Sequence, residues 1–478
     1  MKPSVKLVAC LLAALCALGF GQFASAQAQG DATSAASTSP SAYVYLINAT
    51  STKTTELDGY SADSNGSLTL LPGSPFWVFK SQYTGGIAHT AHWLFASDGT
   101  FIYSFSIAAN GSLKEVSSVN AEQYAECPGC GSITALFLDH TGSTLYALSF
   151  YDDSSNNAIQ FWQKNNTTGG LSYFGSSSES IVAGRLAFIG NNEYGYSAGC
   201  PQQYGGWYSV HRDSDGSLVW FSQQPPAPDN LCPWGTQTAD RSNNLAVALI
   251  GEDNPQFPAH LAVYTADSSG NLTTNSTEAN MPTAAVGDPD PLSLSPAANL
   301  LAVGGDKGLQ IFHFNGSNPI TPYTGLIAAH SIQDLAWDAN NHLFAIGSGR
   351  VNAFRVTSTG YKQAPGSPYA INAIALTVLS LSGSTACAPP STAGVKICSP
   401  ANGSTDSSPV SVSAAATASS GLHITATRLY VDAKSVYTSS SNTLNTSVSL
   451  SAGSHRLDVV GYESNGSAVT ASETITVK

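Results

Sequence analysis

The chain has 478 residues, of which 10% are charged and 42% are hydrophobic, and its formal net charge is −13. Residues 27–386 carry 11 lysines and arginines against 26 aspartates and glutamates, whereas residues 387–478 carry 5 of each kind. Proteins bind nucleic acids and anionic membrane surfaces through basic patches, so we expect neither class of partner. The aliphatic and aromatic content is sufficient for packed cores, which excludes a disordered chain.

The first 26 residues have the features of a secretory signal peptide. Lys2 and Lys6 make a basic start, Leu7–Phe20 is an apolar run too short to span a membrane, and Ala24–Ala26 supplies a small-residue cleavage site. Residues 27–41 consist largely of Ala, Ser, Thr and Gln without periodicity, which predicts a disordered leader. We therefore expect an exported protein of the periplasm, the cell surface or the cell exterior, with no membrane span.

Residues 42–381 contain a repeat in which an apolar strand is followed by a polar turn of the Asn-Gly or Asp-Gly kind, which favours tight hairpins. The copies are 45, 57, 49, 53, 48 and 42 residues apart, close to the roughly 40–50 residues of a propeller blade. The seven copies begin at Tyr60, Phe105, Trp162, His211, Tyr264, Phe312 and Phe354.

Pro291–Tyr323 is the clearest complete unit. Four strands are predicted in it, separated by the turn formers SPAAN, GDKG and NGSNP. They span Leu292–Ser295, Leu300–Gly304, Leu309–Phe314 and Ile320–Tyr323. One such unit cannot bury both faces of its sheet, so the seven copies predict an all-β, seven-bladed propeller.

The two ends of this region predict how the ring closes. Tyr43–Asn48 looks like a second strand with no first strand before it, and Ile371–Leu381 is a strand left over after the seventh unit. We predict that the leftover strand completes the first blade, because closure of this kind removes exposed sheet edges.

Residues 382–394 form a predicted linker of Ser, Thr, Pro and Ala, and residues 395–478 are predicted to be a small immunoglobulin-like sandwich. About seven short strands follow one another there without a helical pattern. Val410, Val412 and Ala414 alternate with serines, as Ile475 and Val477 alternate with threonines, so the apolar members are predicted to face inward.

Six cysteines follow the signal peptide, and disulfides are plausible in an exported protein. We predict Cys200–Cys232, because the loops that carry them belong to the same face of the propeller. We further predict that Cys387 and Cys398 tie the linker to the sandwich. Cys127 and Cys130 could form a local bridge; a metal site there would need two further ligands.

One face of the propeller carries the loops between strands two and three and the blade-to-blade connections; we call it the loop face. Carboxylates on this face could bind a structural divalent cation and aromatic rings could stack on sugars. The candidate ligand-binding residues are Asp288, Asp290, Glu122, Glu126, Trp234 and Tyr124. Glu179, Asp229, Glu278, Trp77 and Tyr83 belong to the same loop class. The alternative is ordinary loop solvation and packing, and no cofactor is predicted.

Two other polar motifs are weaker candidates for metal binding. His89 and His92 lie three residues apart without an evident third ligand, so we interpret them as surface turn residues. Residues 152–157, Asp-Asp-Ser-Ser-Asn-Asn, have calcium-loop composition but lack the glycine and terminal glutamate of a helix-loop-helix site, which favours a solvated turn.

Asp63–Phe76, DSNGSLTLLPGSPF, and Ala364–Tyr369, APGSPY, resemble the repeat of the lactonase-like seven-bladed propellers. This family includes 6-phosphogluconolactonases, and the resemblance covers about 340 residues. Residues 395–404, 429–432 and 450–457 are similar to bacterial immunoglobulin-like domains of exported proteins. The resemblance implies the fold of both regions.

The catalytic resemblance is incomplete. The family implies a histidine-rich stretch, an Asp-Leu-Gly-x-Asp type motif and arginines that hold an anionic substrate. Leu138-Asp139-His140 is the nearest match, the Asp-Leu-Gly motif is missing, and the five arginines of the propeller are scattered along the sequence. We therefore expect a non-catalytic binding or scaffold protein with a glycan or protein ligand. The alternative is a lactone hydrolase of this family.

Overall fold

The computed structural model describes residues 40–50, 54–80, 86–124, 133–150, 157–177, 186–190, 192–198, 207–228, 231–240, 242–251, 259–328, 330–357, 360–381, 387, 389–406, 408, 410–439, 442–448 and 450–478. The predicted signal peptide and residues 27–39 of the predicted leader lie outside the described residues. Ser41, which we assigned to the leader, is buried and its backbone N–H donates to the carbonyl of Ala62 at 2.7 Å. No helix among the described residues is long and apolar enough to cross a membrane.

Seven antiparallel sheets of four main strands make up the region that the repeat predicted. Blades one and two contain β1 (Ala42–Ala49), β2 (Thr55–Ala62), β3 (Leu68–Leu70), β4 (Trp77–Phe79), β5 (Ile87–His89), β6 (Trp93–Ser97), β7 (Phe101–Ile107) and β8 (Leu113–Asn120), followed by a 3-10 helix at Glu122–Tyr124. Blades three and four contain β9 (Ile133–Leu138), β10 (Thr144–Phe150), β11 (Asn157–Lys164), β12 (Leu171–Ser177), β13 (Ala187–Phe188), β14 (Tyr194–Ala198), β15 (Trp207–Arg212) and β16 (Leu218–Phe221).

The remaining blades follow the same order from the innermost to the outermost strand. Blade five contains β17 (Leu231–Ala239), β18 (Asn244–Gly251), β19 (Ala259–Ala266), β20 (Leu272–Thr274) and the short β21 (Thr283–Ala284). Blades six and seven contain β22 (Pro289–Leu294), β23 (Leu300–Gly305), β24 (Gly308–Asn315), β25 (Asn318–Pro322), β26 (Asp334–Trp337), β27 (His342–Gly347), β28 (Arg350–Thr357) and β29 (Gly360–Gln363). The four strands predicted in blade six are confirmed to within a few residues.

The predicted ring closure is confirmed. β30 (Ala373–Ser380) pairs antiparallel with β1 and is the innermost strand of blade one, with Ala42 opposite Ser380 and Leu46 opposite Leu376. Blade one therefore combines strands from both ends of the propeller sequence.

Each pair of neighbouring blades shares its own hydrophobic core, so seven such cores run around the ring. Strand two of every blade faces both neighbours because successive side chains of a strand point in opposite directions. In β1, Val44 and Leu46 pack toward blade seven, whereas Tyr45 and Ile47 pack toward blade two. This two-sided burial explains why the second strands read as nearly continuous apolar runs.

The glycines of the repeated turns are contact points between blades. The hairpin between strands three and four of one blade lies against the first residues of strand two in the preceding blade. Gly270 has φ +79°, and a Cβ there would lie 2.3 Å from Tyr194 Cδ1. The Tyr196 hydroxyl of the same strand donates to the Gly270 carbonyl at 2.7 Å. The same contact recurs for Gly66 with His342, Gly111 with Tyr43, Gly169 with Trp93 and Gly216 with Thr144.

The C-terminal strands form two facing sheets. They are β31 (Gly394–Ser399), β32 (Thr405–Asp406), β33 (Val410–Thr417), β34 (Ile424–Val431), β35 (Lys434–Ser439), β36 (Thr443–Val448), β37 (Gly453–Glu463) and β38 (Ala468–Val477). One sheet has the order β31-β33-β36 and the other β32-β38-β37-β34-β35. β31 and β32 were not predicted. Ala468–Thr470 and Thr474–Val477 were predicted as two strands, but they form the single strand β38.

The inward side chains predicted for this sandwich are confirmed, since Val410, Val412, Ala414, Ile475 and Val477 are all buried in one core. Cys387 and Cys398 form a disulfide with a Cα–Cα distance of 5.4 Å, which ties the segment before the sandwich to β31. The disulfide thus fixes the start of the C-terminal region.

We expect Gly270→Ala to destabilise the protein more than Gly316→Ala. Both glycines have positive φ, +79° and +63°, but a Cβ at Gly316 would lie 3.7 Å from its nearest neighbour, Asn244 Nδ2. Gly316→Ala should therefore lower the free energy of unfolding by about 1 kcal/mol, from backbone strain alone. Gly270→Ala adds a clash with Tyr194 and should cost about 2–4 kcal/mol.

Urea unfolding of the two variants and of Gly325→Ala measures this difference. A Cβ at Gly325 would have no neighbour within 4 Å, so its substitution by alanine should be nearly neutral. Equal losses for the first two variants would contradict the role of close approach between blades.

Candidate functional site

Asp288 and Trp234, two of the candidate ligand-binding residues, contact each other. Asp288 immediately precedes β22 of blade six, and the indole N–H of Trp234 in β17 donates to its carboxylate. The backbone N–H of Asp288 donates to Asp306 Oδ1 at 2.8 Å. Asp288 thus links the innermost strand of blade five to the turn between β23 and β24.

The surroundings of this contact are polar and partly open. Asp288 and Trp234 are half-buried, while Asp290, Asp306 and Lys307 are exposed. Pro289, between the two predicted carboxylates, is buried. The described part of this site therefore offers carboxylates, one ammonium group and one indole ring on the same stretch of surface.

Tyr124 does not belong to this site. Its ring stacks on Tyr173 with centroids 4.3 Å apart and meets Trp162 edge-on at 5.3 Å. Both partners lie in the outer strands of blade three, so Tyr124 packs between blades two and three. Glu122 lies in the same 3-10 helix and is half-buried. The predicted ligand-binding residues consequently form two separate groups instead of one ring of side chains.

Trp77 is also a packing residue. It lies in β4 and contacts Tyr103 and Phe105 of blade two at centroid distances of 5.6 and 5.8 Å. Trp77 was predicted to lie in a loop, because β4 is an extra strand outside the four-stranded repeat and has no sequence signal of its own.

Several predicted residues lie outside the described part of the chain. Cys232 is disulfide-bonded, but its predicted partner Cys200 lies outside the described residues, so this pairing stays a prediction. The same holds for the following residues: Glu126, Cys127, Cys130, Glu179, Asp229, Tyr83 and the segment 152–156.

A central cavity of about 250 Å³ lies among the innermost strands of blades three to seven. Its polar lining includes His140, Gln237, Thr238, Ser293 and Asp334. Asp334 is buried and accepts hydrogen bonds from the backbone N–H groups of Leu335 at 2.9 Å and Leu376 at 3.2 Å. This carboxylate therefore joins the innermost strands of blades seven and one.

The segment Leu138-Asp139-His140, the nearest match to a catalytic motif, ends β9 and enters a turn. Asp139 is buried and pairs with Arg212 Nη2 at 2.5 Å. Arg350 and Arg355 lie exposed in β28, and Arg185 and Arg241 lie outside the described residues. The three described arginines of the propeller therefore do not converge on one anion.

His89 is not a surface turn residue, and that interpretation was wrong. It ends β5, the innermost strand of blade two, and its Nδ1 lies 2.7 Å from Thr377 Oγ1 of β30. The ring keeps some exposed surface, yet burial among protein atoms lowers the pKa of His89 from 6.5 to about 4. His92 is exposed in the following turn. Within the part of the chain that the structure describes, no three His, Cys, Asp or Glu side chains could together hold a metal ion.

A groove at the outer rim of blade four was not predicted from the sequence. It has a volume of about 470 Å³ and is lined by Trp207, Tyr208, Trp220, Phe221 and the segment Ser222–Pro225. Trp207 and Tyr208 begin β15, and Trp220 and Phe221 end β16. The sequence signal was the high local density of Trp and Tyr followed by the polar run SQQP.

The comparisons with known proteins agree with this architecture. A family model for a bacterial Ig domain matches residues 394–459. A putative 6-phosphogluconolactonase of Bacteroides fragilis superposes with a TM-score of 0.53 and 11% identity, covering 72% of this chain and 99% of that protein. The periplasmic gluconolactonase of Pseudomonas aeruginosa gives 0.50 and 13%, covering 71% and 99%. No curated protein sequence matches the chain.

At these identities the similarity shows the fold alone. The protein thus has a lactonase-like propeller followed by an immunoglobulin-like region, which confirms the predicted fold class. The site residues need support from the geometry of this chain itself.

The low pKa of His89 predicts a pH-dependent loss of stability. Between about pH 6.5 and 4 the unfolded chain binds a proton at His89 that the folded protein does not, so stability falls as pH falls through this window. From pH 7 to pH 5 this group should cost about 2 kcal/mol.

Urea unfolding at both pH values checks the effect by difference. His89→Asn should reduce the loss between pH 7 and pH 5 by about this amount, whereas His92→Asn should leave it unchanged. The same loss in the wild type and in His89→Asn would rule out His89 as the source.

Proposed function

We propose that the protein is an exported, non-catalytic binding or scaffold protein whose propeller presents its loop face to a glycan or protein ligand. The immunoglobulin-like region would act as a spacer or adhesion module. The proposal joins a closed ring of seven blades, the carboxylates of Asp288, Asp290 and Asp306, and a C-terminal region that matches a bacterial Ig domain.

The observation that carries the proposal is that three described carboxylates at or beside the innermost strands are each bonded to a neighbouring blade. Asp288 bonds the Trp234 indole, Asp334 bonds the Leu376 backbone, and Asp139 pairs with Arg212. Hydrolysis needs a general acid and base, or a metal, converging on one bond. In the described ranges these three carboxylates instead hold the ring together, which favours binding over catalysis.

Export is supported by the sequence of the first 26 residues and by the Cys387–Cys398 disulfide. Disulfides persist in oxidising compartments such as the periplasm and the cell exterior. The periplasmic location named for the Pseudomonas aeruginosa gluconolactonase is compatible with this proposal.

Lactone hydrolysis is the second candidate. It is favoured by the gluconolactonase and putative 6-phosphogluconolactonase among the similar structures, and by the central cavity that contains His140 and Asp334. A sugar lactone would need an acid or base within hydrogen-bonding distance of its ring ester.

We expect the mature protein to show no saturable turnover of phosphorylated sugar lactones, neutral sugar lactones or acyl lactones, with or without divalent cations. On a glycan array or against candidate proteins it should show saturable binding. Steady-state assays on the purified full-length mature chain measure the first result.

Turnover that is lost in the Asp288→Ala/Asp290→Ala variant would overturn the binding-only proposal. The matched control is Asp267→Asn, which alters an exposed carboxylate in the strand three–four hairpin of blade five. That hairpin lies at the opposite end of the strands from Asp288 and Asp290, so Asp267→Asn should behave as the wild type in the turnover assays.

A further inference from the structure

The aromatic groove of blade four is the strongest unassigned feature of the described chain. It lies where β15 begins and β16 ends, next to the connection that leads to blade five. Its wall consists of Trp207, Tyr208, Trp220 and Phe221, and its polar side carries Gln223 and Gln224. This position is at the outer rim of the loop face, away from Asp288 and the central cavity.

The strand register places two of the four aromatic rings on each face of this outer hairpin. Ser209 is paired with Phe221 and Val210 with Trp220, so side chains alternate between the two faces of this outer hairpin. Trp220 shares a face with Tyr208, and their ring centroids are 5.3 Å apart. The rings thus surround the end of the outermost strand from both sides.

The rings are held in place by contacts behind the groove. Trp207 packs edge-on against Tyr264 of blade five with centroids 4.7 Å apart. The Trp220 indole N–H donates to Ser177 Oγ of blade three at 3.2 Å. Trp207, Tyr208, Trp220 and Phe221 are nevertheless only half-buried, so each keeps an accessible surface. Aromatic rings oriented in advance lose little entropy when a ligand stacks on them.

The polar side of the groove is equally well defined. Gln223 donates to Ser209 Oγ at 2.6 Å and to the Gly270 carbonyl at 3.2 Å, and its oxygen accepts the Leu272 N–H at 2.8 Å. Gln223 therefore braces the wall against blade five. Gln224 is exposed and carries an amide with both donors and an acceptor at the groove.

The described lining residues carry no formal charge, although the propeller region has a net charge of −15. A charged ligand would need a counter-charge in the groove, and a purely apolar ligand would offer no hydrogen bond to the exposed amide of Gln224. Aromatic faces combined with amides and a serine hydroxyl match a sugar ring, which has apolar C–H faces and hydroxyl groups at its edge. The volume of about 470 Å³ lies within the range of small-molecule sites.

We infer that this groove binds a neutral oligosaccharide, with a sugar ring stacked on Trp220 and its hydroxyl groups bonded by Gln224. The inference rests on the proposed binding function and gives it a ligand class and a location. It concerns a rim site on blade four and not the residues around Asp288.

The test uses the full mature chain and four neutral tetrasaccharides: β-1,4-linked glucose, N-acetylglucosamine and xylose, and α-1,4-linked glucose. Titration is followed by tryptophan fluorescence and calorimetry, with an acidic galacturonate tetrasaccharide for comparison. At least one neutral tetrasaccharide should saturate the protein at millimolar concentration or below, and the acidic one should bind more weakly.

Trp220→Ala should weaken this binding about ten-fold, as expected for the loss of one ring contact. Trp220→Phe should retain part of it. Gln224→Ala alters an exposed side chain, so it tests the groove without risk to folding and should weaken binding several-fold. Tyr361→Ala, which removes an exposed ring in β29 of blade seven, should have no effect on affinity, and circular dichroism confirms that each variant is folded.

Three results would overturn the inference. In the first, no neutral tetrasaccharide saturates the protein. In the second, both Trp220→Ala and Gln224→Ala bind with unchanged affinity. In the third, Asp288→Asn loses binding while Trp220→Ala keeps it. In the third case the proposed function would stand with its site on the inner loop face. Lactone turnover, in contrast, would overturn the binding-only function and leave the groove to be decided by these titrations.

Discussion

Burial of both faces of every blade is the constraint on which this structure depends. No blade can do this alone, because each sheet is apolar on two sides, and only a closed ring gives every sheet two neighbours. The seven inter-blade cores and the hairpin glycines that approach the preceding blade are two expressions of this constraint. The Tyr196 and Tyr146 hydroxyl groups, which donate across blade boundaries to glycine carbonyls, add directional bonds to the non-directional burial.

The two faces of the ring also differ in structure. The face with the strand three–four hairpins is shaped by tight turns such as that of Asp267, whose Oδ1 accepts the Ser269 and Asn271 N–H groups. These hydrogen bonds hold the pKa of Asp267 below its ordinary value. The hairpins are therefore committed to joining blades, and the proposed function assigns ligand binding to the opposite face. This division places Asp288, Trp234 and the aromatic groove on the side where variation costs the ring least.

The blades and their closure could be predicted because their signals are local: a hairpin needs positive φ at fixed positions, and an unmatched strand needs a partner. The site could be predicted only in part. Asp288 and Trp234 were predicted on the loop face from the strand order of the repeat, and their role in ligand binding stays a prediction. The packing of Tyr124 on Tyr173 was not predicted, because it depends on how closely two blades approach. His89 was misjudged for the same reason, since its neighbour Thr377 lies at the far end of the propeller sequence. The groove was not predicted, because periodicity does not tell which end of a strand remains uncovered.

The pairing of β1 with β30 has a consequence for biosynthesis. Residue 42 emerges from the ribosome long before residue 380, its partner in the sheet. Throughout that interval blade one has an open inner edge with unsatisfied N–H and C=O groups, which could pair with another nascent chain. Closing so long a loop also makes the final step slow relative to the formation of single blades.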